Sequence, residues 1–225
     1  MNKPWQYGFT LWELLMTLLV AGILLGIGVP NVMEFQRNGA MTAAANNLVT
    51  AVLLARTEAI KQQAPVAWCL SDDPLAANPT CSPGVIMNST LRGFIVWVDE
   101  NGNQDGNGAR ILTDATDGNA VVDPGEPILS RTPPPGLPVR VSSNCGHAVF
   151  GPNGFPRIPV APCNPAIQER AVLFCDDRGF DTAMGAVSTA RVVLINRQGR
   201  AQVLNASPTI DPWVAGLVAG GATCP

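Results

Sequence analysis

From Phe9 to Val29 the chain runs for 21 residues with a single charged side chain, Glu13. As a helix rising 1.5 Å per residue this run is about 31 Å long, the thickness of a bilayer's hydrocarbon core. A cleaved secretory signal fits less well, because one lysine, Lys3, precedes the run, the apolar stretch is long, and an anion lies inside it. A carboxylate this far into a span is expensive in lipid, so Glu13 reads as a functional residue in need of a partner.

The run carries its own weak points. Gly22 and Gly26 each cost a helix roughly 1 kcal/mol relative to alanine, and Pro30 removes the hydrogen bond that would reach the Gly26 carbonyl. The segment is thus prepared to kink or unwind, although Gly22-x-x-x-Gly26 also suits plain helix packing. Beyond Pro30, Met41, Ala45, Leu48, Val52, Ala55 and Ala59 recur at spacings of four and three, with Arg37, Asn46, Arg56, Glu58 and Lys61 off that stripe. The spacing predicts one continuing helix, ended by Pro65, whose narrow small-residue face packs on a sheet.

After Pro65 the helical period gives way to short β-branched and aromatic runs between Gly, Pro and Asn turns, as expected where 22 glycines and 20 prolines share a chain. Strands are expected at 66–70, 93–99, 128–131, 139–142, 148–150, 171–175, 190–195 and 201–204, forming an antiparallel sheet. Asn196 to Gly199 connects the last two as a hairpin with glycine at a positive φ. The segment from Asp72 to Asn88 reads as a Pro-rich loop. Six cysteines, Cys69, Cys81, Cys145, Cys163, Cys175 and Cys224, all follow the apolar run and form no CxxC pair, which points to an oxidising compartment and up to three disulfides. Fifteen pairings are possible, and order along the chain does not settle them. Pairing of chain neighbours, Cys69 with Cys81 and Cys145 with Cys163, is the expectation.

The string Gly8-Phe9-Thr10-Leu11-Trp12-Glu13-Leu14-Leu15 resembles the processing signal of type IV pilins and type II secretion pseudopilins. The resemblance implies a leader, residues 1–8, removed by a prepilin peptidase between Gly8 and Phe9, with methylation of the new N-terminus. Glu13 is then the fifth mature residue, which in that family pairs with the N-terminal amine of a neighbouring subunit. Pro30 matches the family's proline at mature position 22. Later features resemble the GspH/FimT branch: the strand into Asp99, the Gly-Glu-Pro-Ile-Leu run, Phe150-Gly151-Pro152-Asn153-Gly154, Cys175-Asp176, the Val192 to Gln202 hairpin and Cys224. The implied fold is α+β: a transmembrane half-helix (9–30) continuing into an amphipathic one (31–64), packed on a β-rich periplasmic head (65–225). The same resemblance implies a Cys175–Cys224 disulfide, an inner-membrane location in contact with lipid, and other pilins or pseudopilins and an inner-membrane assembly platform as partners.

No catalytic constellation emerges, since there is one histidine, His147, expected in a turn, and no nucleophile elbow, phosphate loop or metal-spaced cluster. The chain reads as a non-enzymatic filament subunit. Asp99, Asn101, Asn103 and Asp105 have something of the spacing of a calcium loop, but no glutamate stands at the twelfth position, and a solvated hairpin tip is the favoured reading. DNA capture is the alternative function, because some FimT-type pilins use a Gly-Arg-x-Arg element on the last hairpin. Here it reads Gly199-Arg200-Ala201-Gln202, and Arg191, Arg197 and Arg200 could form only a small patch on a chain of net charge −3.

Overall fold

The computed structural model describes residues 9–82, 84–90, 93–99, 122, 126–134, 136, 139–157, 163, 169–180, 189–206, 212–219 and 224. The chain divides into two units, 1–39 and 40–225.

The first unit contains the apolar part of helix α1 (Leu11–Gln62). Thr10 caps the helix, its Oγ1 accepting from the Glu13 backbone N–H at 3.3 Å. Thr10-x-x-Glu13 is thus a capping-box sequence, and Glu13 also lies where the helix dipole favours an anion. Helical geometry continues through Gly22, Gly26 and Pro30 without interruption, so the weak points identified above do not break α1 in this state.

In the second unit the rest of α1 buries the whole expected stripe, Met41, Ala45, Leu48, Val52, Ala55 and Ala59, together with Ala44 and Ala51. The helix ends three residues before Pro65. Gln63 adopts φ +53°, a left-handed stop, and its Nε2 donates back to the Ile60 carbonyl.

Nine strands follow: β1 (Val66–Leu70), β2 (Ile86–Thr90), β3 (Phe94–Val98), β4 (Ile128–Thr132), β5 (Arg140–Ser143), β6 (His147–Phe150), β7 (Arg170–Cys175), β8 (Arg191–Ile195) and β9 (Ala201–Asn205). They form two antiparallel sheets instead of the single one expected, ordered β4-β3-β1-β6 and β2-β5-β7-β8-β9. A short helix, α2 (Pro212–Ala219), closes the fold.

The main core joins the α1 stripe to alternate residues of both sheets, among them Val66, Trp68, Phe94, Phe150, Phe174 and Ile195. Phe94 and Phe174 meet edge to face across the sheets, with centroids 6.3 Å apart. The remaining alternate residues are buried too. Leu173, Cys175 and Val192 cluster with Val214 and Leu217 of α2, while Cys69, Ile95 and Trp97 cluster with Cys81, Val122 and Ile128. Cover on both faces explains why β1, β3 and β7 read as unbroken apolar runs and not as alternating ones.

Candidate assembly site

Glu13 is the one ionisable group in the most apolar stretch of α1. An 18-residue window there has mean hydropathy 2.1, long and apolar enough to cross a membrane, and none of it is buried within the fold. That separates it from the core helix of a soluble protein, which passes the same hydropathy test but buries its surface. Phe9, Trp12, Leu18, Leu24 and Leu25 are all exposed, and Gly22, Gly26 and Gly28 have open space where a Cβ would stand. The surface therefore offers apolar side chains, a close-approach groove at the glycines, and one carboxylate. Gly8 lies outside the described residues; Phe9 is described and exposed.

The cysteines pair as Cys69–Cys81, Cys145–Cys163 and Cys175–Cys224, with Cα separations of 5.7, 5.4 and 5.6 Å. The last links β7 to the C-terminal segment beyond α2. The first closes the loop 70–80, where Asp73 Oδ1 accepts from the Thr80 backbone N–H at 2.7 Å and Arg131 of β4 donates to the carbonyls of Pro74, Ala76 and Ala77.

The arginines of the possible DNA patch are not brought together. Arg197 and Arg200 are exposed in the β8–β9 turn, which is fixed by Asn196 Oδ1 accepting from the N–H groups of Gln198 and Arg200, with Gly199 at φ +73°. Arg191 starts β8, about 16 Å away at 3.3 Å per residue, and its guanidinium donates to the carbonyls of Thr189 and Ala190. Of the calcium candidates, Asn101, Asn103 and Asp105 lie outside the described residues, and Asp99 is buried with its backbone N–H bonded to the Pro65 carbonyl.

His147 departs from its expected place. It is not a turn residue; it opens β6, buried, opposite Cys69 of β1. Its Nδ1 lies 3.5 Å from Cys145 Sγ and 3.6 Å from Cys163 Sγ. Behind it Arg170, 1% exposed, donates from Nε to the His147 carbonyl and from its η nitrogen to that of Arg157. Burial lowers the Arg170 pKa to about 10, which leaves it charged at neutral pH. Sequence reasoning missed this cluster because Cys163 joins it from 16 residues beyond His147, and the only local signal was Cys145-x-His147.

A family model described as "Type II transport protein GspH" matches residues 44–199, more than half of the chain. Two crystal structures of the type IV minor pilin FimU from Pseudomonas aeruginosa (strain PAO1) are similar to it at 16% and 17% identity. They cover 76% and 72% of this chain and 92% and 91% of their own, with TM-scores of 0.40 and 0.37. No curated protein matches the chain.

Proposed function

We propose that this chain, which belongs to the GspH family of type II transport proteins, is a membrane-inserted subunit of a type II secretion pseudopilus or a related type IV pilus. Members of the family are structural, not enzymatic, pilin-class proteins. The observation that carries the assembly role is the apolar half of α1, wholly exposed within the fold and bearing one carboxylate. Such a surface is stable in lipid, or against the like helices of other subunits, and in neither setting is a lone carboxylate tolerated without a partner.

In this reading residues 1–8 are a leader removed by a prepilin peptidase after Gly8. The helix from Phe9 to Pro30 anchors the chain in the inner membrane, and the head is periplasmic. Glu13 then meets the methylated Phe9 amine of a neighbouring pilin or pseudopilin as the assembly platform adds subunits. DNA capture has less support, because Arg191 stands apart from Arg197 and Arg200. Intact-mass measurement on the chain purified from its native membrane tests the reading. The expected mass lacks Met1 to Gly8 and carries one N-methyl group; a filament subunit that retains those eight residues would overturn it.

A further inference from the structure

Cys145 and Cys163 are joined as a disulfide, yet their sulfurs and the His147 Nδ1 also form the one group of potential metal ligands among the described residues, all within 4.8 Å of one another and all buried. We propose that in its dithiol state this head binds one thiophilic d10 cation, Zn2+, through Cys145, His147 and Cys163, and that closing the Cys145–Cys163 bond by exchange with an external disulfide, which takes up the two electrons and two protons to become a dithiol, expels it.

The argument is geometric. With Zn–S near 2.3 Å and Zn–N near 2.05 Å, tetrahedral ligands place sulfur and nitrogen about 3.6 Å apart. The two sulfur-to-Nδ1 distances, 3.5 and 3.6 Å, already have that value. Only the sulfurs need to part, to about 3.8 Å, once no bond joins them. Cys145 and His147 hold their positions through the fold. The Cys145 N–H donates to Ser143 Oγ, which in turn donates to the Ala171 or Cys145 carbonyl, while His147 is paired with Cys69 in the sheet. An imidazole that binds through Nδ1 carries its proton on Nε2.

Arg170, buried behind the site, donates from Nε to the His147 carbonyl and so helps to fix the strand that carries the imidazole. Charge agrees with this choice. Two thiolates and Zn2+ are net neutral, so the filled site is far cheaper to bury than a bare dication. Three protein ligands leave one position for water or an added thiolate. The dithiol state exists before the disulfide is made, and returns when an external dithiol gives two electrons and two protons to the Cys145–Cys163 bond and is itself oxidised to a disulfide. Binding Zn2+ to the two thiols releases two protons.

The test uses the full chain in detergent micelles, reduced anaerobically with a phosphine, which takes up oxygen from water as the disulfides gain electrons and protons. Co2+ serves as the probe. One equivalent is expected to give tetrahedral thiolate-to-metal charge-transfer absorption that Zn2+ displaces, while the oxidised chain gives none. His147→Gln, which leaves both cysteines in place, is expected to weaken Co2+ binding about tenfold or more, since losing a ligand costs at least as much as losing an outer partner. Cys69→Ser and Cys175→Ser are expected to retain the absorption. Absence of the band, or a His147→Gln titration equal to the parent's, would overturn the site. A reduced chain that had unfolded would bind through any of its thiols without regard to His147 and would give that second, overturning result.

Discussion

The two halves of α1 are both apolar, yet they solve opposite problems. From Phe9 to Val29 the apolar residues go all the way round the helix and none is buried; after Ala40 they narrow to a stripe that is buried completely. The first half relies on a solvent or a partner outside the chain, whereas the second relies on the chain's own sheets. Each of these two stretches also carries one glutamate, and these differ in the same way. Glu13 lies in a stretch with no other charged side chain, its backbone N–H capped by Thr10, while the Glu58 side chain accepts from Gln62 Nε2 at 2.8 Å and Lys61 Nζ at 3.2 Å. One helix thus uses these two carboxylates for two tasks, association and local stability.

The sharpest way to break the comparison is Glu13→Ala. If Glu13 acts between subunits, the variant inserts in the membrane as well as the parent, and the head melts unchanged. Incorporation into filaments falls steeply, because leaving a buried amine without its carboxylate costs about 3–5 kcal/mol. Quantifying the chain in sheared filament against membrane fractions checks this; equal incorporation would assign Glu13 to the capping box alone.

Next in size is a paired truncation. Leu48→Ala removes a fully buried side chain from the main core and should cost the head about 2–5 kcal/mol, whereas Leu24→Ala, at a site 65% exposed, should change head stability by less than about 0.5 kcal/mol. Urea unfolding of the full chain in micelles, followed by near-ultraviolet circular dichroism, reads both. Similar losses would mean that the apolar half supports the head after all.

These contrasts were legible where period and chemistry agreed. The α1 stripe from Met41 to Ala59 needed only its four-three spacing, and β1, β3, β7 and β8 needed only their β-branched and aromatic runs between turn residues. Two elements were not legible. The β2 run Ile-Met-Asn-Ser-Thr is polar at its exposed end and lies among prolines and a disulfide, so loop chemistry masks it; its edge position beside β5 supplies the pairing. The α2 run is short and apolar, without a helical period of its own, and exists to cover the outer face of β7 and β8. Two sheets were read as one because strand runs show which segments pair but not where pairing stops. Glu13 stood out by its cost in lipid, while the surroundings of His147 depend on a contact from a distant cysteine.

A smaller effect is expected where the head half of α1 meets the loop 151–157. Gly154 has φ +74°, and a Cβ there would lie 2.6 Å from Ile60 Cδ1. The isoleucine tip can swing aside, but the left-handed backbone keeps its strain, so Gly154→Ala should cost about 1–2 kcal/mol. Thermal melts of the two chains measure it; no loss would show that the loop re-forms without a left-handed residue.

The least effect is expected at Glu58, and its pH dependence makes it decidable. The Gln62 hydrogen bond first, then that of Lys61, holds the Glu58 pKa below its ordinary 4.5. A carboxyl whose folded pKa is depressed contributes stability that is fully present above its unfolded value and is lost as pH falls through the folded one. Glu58→Gln should therefore lower the head's melting temperature slightly at pH 7, and the gap to the parent should close as pH falls through and below the ordinary glutamate range. Salt should shrink the gap as well, since the Lys61 partner is exposed and its attraction is screened. Melts at pH 7 and at pH 3 give the answer. A gap that persists at pH 3 would mean that the side chain acts through packing on α1 and not through its charge, and Glu58 would then cease to be the aqueous counterpart of Glu13.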